Sequence, residues 1–80
     1  MSATVVVEFT IEPFVEGEPG AHVTSAIAAV EALGVSVDLG PFGSSFIVPQ
    51  AKVGEAVKAL LDAAYANGAT HVNVNVEPTA

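Results

Sequence analysis

The 80-residue chain carries nine acidic residues and two lysines, without arginine or cysteine, and has a formal net charge of −7. So few cations exclude nucleic acid and anionic membrane surfaces as partners, since both require clustered positive charge. The lack of cysteine excludes a disulfide framework and a thiolate metal site. A chain of 80 residues is long enough for a single domain only, which is expected to span residues 1–80. Because so small a domain buries little surface by itself, the hydrophobic content of 51% predicts a homo-oligomer, either a dimer or a tetramer.

The first element is a strand over residues 4–12, where apolar and polar residues alternate. Pro13 closes it, because proline cannot donate to a strand ladder. Residues 14–20 contain two glycines and a proline, which predicts a long loop, and long ordered loops are often functional.

The period then changes to that of a helix over residues 21–33. Its apolar positions are spaced by four, three and three residues: Val23, Ile27, Val30 and Leu33. Gly34 stands where a left-handed cap would end the helix.

Two short strands follow, at residues 35–39 and 45–48. The Gly40-Pro41-Phe42-Gly43 segment between them is too short for a crossover, so the pair must form an antiparallel hairpin. Pro49 ends the hairpin.

A second helix is predicted next, stopped by Asn67-Gly68. Its apolar face comprises Val53, Val57, Leu60, Leu61 and Ala64.

The last strand, residues 71–77, alternates strictly between valine and polar residues. Its polar positions are His71, Asn73, Asn75 and Glu77. Because asparagine is depleted in strands, two of them on one face favour recognition or an interface over simple solvation.

The order strand, helix, strand, strand, helix, strand predicts an α+β fold of the ferredoxin-like βαββαβ type, a four-stranded antiparallel sheet with two helices on one face. Right-handed crossovers place the first and third strands in the centre of the sheet. The polar residues predicted on the uncovered face are Glu8, Thr10, Asp38, His71, Asn73 and Asn75. Val6 and Ile47 are expected among them, and such a mixed patch suits a partner sheet or a ligand.

Neither a metal site nor a catalytic centre is predicted. His22 and His71 lie in different elements and are interpreted as unrelated surface histidines. A triad can be drawn from Ser45, His71 and Glu8, but any small sheet with these residue types would permit it. The hairpin glycines indicate a turn, or a close approach of a ligand to the backbone with serine hydroxyls nearby.

Several short segments spread over nearly the whole chain share a pattern with one family. They are Val7-Glu8-Phe9-Thr10-Ile11-Glu12-Pro13, the loop leading to His22-Val23, Gly34 to Leu39, Gly40-Pro41-Phe42-Gly43-Ser44, and Asn67-Gly68-Ala69-Thr70-His71-Val72. Together they resemble the YkoF-like thiamine-binding family of small ferredoxin-like proteins. The chain departs from the family pattern at Phe42 and Ser44, where Met and Thr are usual. It also departs at Ile47-Val48, which replace Glu-Gly, and at His71, which replaces arginine.

The resemblance implies a non-enzymatic protein that binds thiamine or its hydroxymethylpyrimidine moiety as an oligomer, without a further cofactor. The residues expected to contact the ligand are Glu8, Thr10, Asp38, Phe42, Gly43, Ser44, Ser45, His71, Asn73 and Asn75. Asparagine and serine side chains match the donors and acceptors of an aminopyrimidine. Glu8 or Asp38 and the negative field favour a thiazolium cation, and Phe42 offers a ring for stacking.

Two other functions remain open. The first is a structural or regulatory self-association domain of the ACT or PII type, with a different ligand or none. The second is a small enzyme, either an isomerase or a cofactor-free oxygenase. The chain has neither a recognisable targeting signal nor a run of roughly 20 apolar residues, so a cytoplasmic protein is expected.

Overall fold

The computed structural model describes residues 3–13, 20–40 and 43–79. The elements in chain order are β1 Thr4–Glu12, α1 Ala21–Glu31, β2 Val37–Gly40, β3 Gly43–Pro49, α2 Val53–Ala66 and β4 His71–Pro78, with a short 3-10 turn at Gln50–Lys52 before α2. All strand pairs are antiparallel, and the sheet order is β2-β3-β1-β4. The predicted ferredoxin-like α+β fold is therefore confirmed, with β1 and β3 in the centre.

The boundaries of the elements differ slightly from those predicted. Helix α1 ends at Glu31, because Leu33 and Gly34 already form a turn in which their amides donate to the carbonyls of Val30 and Glu31. Gly34 has a φ of +86°, the left-handed conformation predicted for it, and this turn delays the start of β2 to Val37.

The core lies between the sheet and the two helices. It comprises Val5, Val7, Phe9, Ile11, Phe46 and Val48 from the sheet and Ala26, Val30, Ala56, Leu60 and Ala64 from the helices. The rings of Phe9 and Phe46 lie 5.9 Å apart between centroids, tilted by 55°, which is a favourable aromatic arrangement across neighbouring strands.

The buried stripe of α1 is rotated relative to the prediction. The fully buried positions are His22, Ala26 and Val30, whereas Leu33 lies beyond the helix end and is 39% exposed. Val23 and Ile27 are only partly buried, and the small Ala26 at the centre of the buried stripe lets a neighbouring element approach closely. The periodicity identified the helix correctly, but its core face was partly wrong.

The prediction that His22 is a surface residue is wrong. Its side chain is 6% exposed, and its Nε2 lies 2.7 Å from the carbonyl oxygen of Pro13, within hydrogen-bonding distance. A Cβ atom at Gly20 would come within 2.7 Å of the imidazole, so glycine leaves the room that the ring occupies. His22 thus connects the end of β1 to the start of α1.

Strand β4 is only partly covered by the core. Val72 and Val74 pack against it, whereas Val76, on the same face of the strand, is 45% exposed. The reason is that β4 is an edge strand, with a neighbour on one side only. Within the part of the chain that the structure describes, neither helix is long and apolar enough to cross a membrane.

Candidate functional site on the open sheet face

One polar row crosses all four strands on the face away from the helices. The strand register places Asp38 opposite Ser45, Ser45 opposite Glu8, and Glu8 opposite Asn75. Directly opposed residues of antiparallel strands point to the same face. The four side chains, here called the central row, therefore form a continuous line of carboxylate, hydroxyl, carboxylate and carboxamide.

A second polar pair lies beside the central row. Thr10 is opposite Asn73, and the Asn73 Nδ2 donates a long hydrogen bond of 3.4 Å to the Thr10 Oγ1. Two residues along a strand span about 7 Å, which separates this pair from the central row. The two sets can thus contact different parts of one small molecule.

Both sets line a single open depression of about 550 Å³. Of the predicted contact residues, those that line it are Glu8, Thr10, Asp38, Gly43, Ser44, Ser45, Asn73 and Asn75. Phe42 lies outside the described residues. His71 does not line the depression, because it is opposite Glu12 at the far end of β4, where its Nδ1 lies 3.2 Å from the Thr70 Oγ1.

The register also distinguishes the two neighbouring serines. Ser44 is opposite Phe9 and Leu39, and Phe9 is a core residue of the helix-covered face. Ser45 belongs to the central row. Since adjacent strand residues point to opposite faces, the side chain of Ser45 lies on the open face with the depression, whereas that of Ser44 points to the helix-covered face.

Glycines keep one end of the depression open. Gly40 and Gly43 are opposite each other at the end of the hairpin. A Cβ atom at Gly40 would lie 2.8 Å from the Gly43 carbonyl oxygen, and one at Gly43 would lie 3.3 Å from the Thr10 Cγ2. Gly40 was missed as a lining residue, although its place opposite Gly43 in a two-residue connection was a usable signal.

The depression is acidic. Glu8 and Asp38 flank Ser45 from two strands that lie about 9.6 Å apart, and neither a lysine nor a histidine is among the described residues that line it. No side-chain hydrogen bond between described residues engages either carboxylate. The geometry therefore favours a cationic or neutral ligand over an anionic one.

The two lysines lie elsewhere. Lys58 pairs with Asp62 one turn away on α2, and this hydrogen bond and charge raise the pKa of Lys58 above its usual 10.5. Lys52 lines a second, neighbouring depression of about 510 Å³. That depression also contains the apolar pair Val6 and Ile47, which are opposite each other on the open face as expected.

The triad considered from the sequence is not assembled. Ser45 lies in the central row on β3, and the central-row residue two strands away on β4 is Asn75. His71 lies four residues from Asn75 along β4, so it is roughly 16 Å from Ser45. A serine nucleophile needs its base within hydrogen-bonding reach. Within residues 3–13, 20–40 and 43–79, no three histidine or acidic side chains are grouped so that they could hold a metal ion.

Solved structures share this fold. A domain of unknown function, DUF77, from Bacillus cereus matches with a TM-score of 0.69 at 21% identity, over 99% of this chain and 77% of that chain. Protein SP2199 from Streptococcus pneumoniae matches with a TM-score of 0.70 at 20% identity, over 96% of this chain and 86% of its own. Hypothetical protein MJ1052 from Methanocaldococcus jannascii matches with a TM-score of 0.61 at 21% identity, over 96% and 79%.

These similarities establish the fold alone, because one fold hosts many unrelated functions. No protein-family model matches the chain, and no curated protein matches it.

Proposed function

We propose that the depression on the open sheet face binds thiamine or its hydroxymethylpyrimidine moiety, without chemical conversion, in a small homo-oligomer. The observation that carries the proposal is the central row, which lays two carboxylates, a hydroxyl and a carboxamide along one hollow of about 550 Å³. That volume lies within the range of sites for small ligands.

The pyrimidine end of the ligand suits the amide side of the hollow. An aminopyrimidine presents ring nitrogens that accept hydrogen bonds and an amino group that donates them. Asn73 and Asn75 each offer both a donor and an acceptor, and Ser45 adds a hydroxyl that serves either way. The long bond from Asn73 to Thr10 is easily exchanged for a better one to a ligand.

The thiazolium end suits the acidic side. Its permanent positive charge is attracted by Glu8 and Asp38, and the net charge of −7 adds a favourable field. The same charges oppose the phosphate esters of thiamine.

Isothermal titration calorimetry with thiamine, hydroxymethylpyrimidine and thiamine diphosphate tests the proposal. We expect thiamine to bind most tightly, the uncharged pyrimidine more weakly, and the diphosphate most weakly. Mass spectrometry of the recovered ligand should find thiamine unchanged, whereas a cleaved or modified product would favour an enzyme. Absence of heat with all three ligands at millimolar concentration would refute the proposal.

Charge-neutralising variants test the placement of the cation. Glu8→Gln and Asp38→Asn should each weaken thiamine binding about fivefold, equivalent to ~1 kcal/mol, and leave pyrimidine binding nearly unchanged. Glu55→Gln is the matched control, since it removes the same charge from the first turn of α2. If all three variants lose the same thiamine affinity, the cation is attracted by the net charge of the whole protein and not by the carboxylates of the central row.

A self-association domain is the second candidate. The observation in its favour is the apolar pair on the open face, because Ile47 is 62% exposed and lies opposite the half-buried Val6. Two such faces packed together would cover it. Ile47→Lys would then abolish the oligomer and spare the monomer's stability, as measured by sedimentation velocity and thermal denaturation. If the oligomer survives this change, the open face is free for a ligand.

A further inference from the structure

Within residues 3–13, 20–40 and 43–79, strand β4 is paired with β1 on one side only, and no strand is paired with its outer edge. The Gln50 amide donates to the Ala3 carbonyl, and the Thr79 amide donates to the Thr4 carbonyl. In β1, the amides and carbonyls of odd-numbered residues therefore point toward β3, and those of even-numbered residues point toward β4. On β4, odd positions bond to β1, so the amides and carbonyls of Val72, Val74 and Val76 point outward.

This edge also lacks the features that usually protect one. Strand β2, at the opposite edge, has only four residues, and a short edge strand gives little to pair with. Strand β4 has eight residues, carries no lysine, and has its single proline in the last position. Val76 is 45% exposed on the helix-covered face beside this edge. Such an edge is a template for another strand.

The sequence of β4 is complementary to itself. Read from its middle residue, Val74, the strand His71-Val72-Asn73-Val74-Asn75-Val76-Glu77 is nearly a palindrome of side-chain types. An antiparallel pairing about a two-fold axis at Val74 sets asparagine beside asparagine and valine beside valine. It also sets His71 of each copy beside Glu77 of the other, at both ends.

We propose that β4 pairs with β4 of a second copy of this chain, antiparallel and centred on Val74. Val74 faces its own counterpart, and Val72 faces Val76, so all the outward amides and carbonyls of these valines are satisfied. The Nδ1 of His71 already lies beside the Thr70 Oγ1, which leaves its Nε2 for the Glu77 carboxylate of the other copy.

Other registers are less favourable. A shift by one residue would set valines opposite asparagines and mix the apolar face of one copy with the polar face of the other. A shift of the axis to Asn75 would set Val72 opposite Pro78, which has no amide to donate. A shift to Asn73 would shorten the ladder and leave Glu77 opposite Ala69. Of these registers, only the pairing centred on Val74 sets every valine opposite a valine and each His71 opposite a Glu77 of the other copy.

This pairing extends beyond the proposed ligand site and does not depend on it. Two four-stranded sheets become one of eight strands, with both polar faces on the same side. Asn73 and Asn75 of the two copies then form a group of four carboxamides between the two depressions. The exposed part of Val76 becomes covered by Val72 of the other copy.

Sedimentation velocity over a range of protein concentrations tests the pairing. We expect a monomer–dimer equilibrium in which His71→Glu, by opposing two carboxylates at each end, raises the dissociation constant about tenfold. Adding Glu77→Lys to the same chain should restore dimerisation. Gln50→Glu, at an exposed position outside the interface, adds the same charge and should leave the dimer unchanged.

Hydrogen exchange measured by NMR locates the interface in the unmodified protein, so it does not rely on a variant that folds. The amides of Val72, Val74 and Val76 should become protected as the protein concentration rises. A chain that stays monomeric, a dimer unaffected by His71→Glu, a double variant that does not recover, or a dimer that leaves these three amides unprotected would each overturn the proposal.

Discussion

The two faces of the sheet differ in how tightly their residues are held. On the helix-covered face, Val7, Phe46 and Val48 are almost completely buried among residues of both helices. On the open face, Ile47 is 62% exposed, and three members of the central row, Glu8, Asp38 and Asn75, are exposed as well. Substitutions on the first face should therefore change stability, and those on the second should change binding.

The largest contrast is expected between a core leucine and an exposed isoleucine. Leu60→Ala removes a side chain with no exposed surface and should lower the free energy of unfolding by about 2–5 kcal/mol. Ile47→Ala should lower it by at most ~0.5 kcal/mol. Urea denaturation at dilute protein measures both. Equal losses would show that the open face is also packed.

A smaller contrast is expected between the two histidines. His22→Phe keeps most of the volume but removes the hydrogen bond to the Pro13 carbonyl, and should cost about 1–3 kcal/mol. His71→Phe, on the exposed side, should change the stability of the dilute monomer by at most ~0.5 kcal/mol. The same denaturation curves provide the comparison, and a neutral His22→Phe would contradict the structural role assigned to that ring.

Adjacent serines sharpen the comparison within a single strand. Ser45→Val removes a hydroxyl from the central row and should weaken binding of the proposed ligand about fivefold, or ~1 kcal/mol. Ser44→Val, on the other face, should leave affinity unchanged. Calorimetry with thiamine distinguishes them, and the reverse order of effects would mean that the register of β3 is shifted by one residue.

The smallest effect is expected far from both faces, at Lys58. Because the pKa of Lys58 is raised, its pairing with Asp62 stabilises the folded chain at neutral pH. This contribution is lost only as the pH rises through the pKa of Lys58 in the folded chain, which lies above 10.5. Because the pair is fully exposed, Lys58→Met should leave the denaturation midpoint at pH 7 almost unchanged. A clear drop would require a further partner of Lys58.

Much of the architecture could be predicted from local patterns. The alternation of β1, the two-residue hairpin connection and the positive φ of Gly34 and Gly68 follow from side-chain period and steric freedom. The core face of α1 was harder, since a helix rich in alanine has several sides that can be buried. Burial of His22 depends on Pro13, nine residues away, which no periodicity reports.

The candidate site was predictable in its strand residues and unpredictable in its details. Alternation alone placed Glu8, Thr10 and Asn73 on the open face, and the structure brings them to one depression. It could not decide between Ser44 and Ser45, because that choice depends on the register across the hairpin. It also grouped His71 with the site, although distance along β4 separates it from the hollow.

The amino-acid sequence by itself determined the order of elements, the antiparallel sheet and the division into an apolar and a polar face, because these follow from the periods of strand and helix. Only the tertiary structure decided which polar side chains share a hollow, which histidine is buried and which strands lie at the two edges of the sheet. Those outcomes depend on pairing between residues distant in the chain, where a shift of one position moves every side chain to the other face.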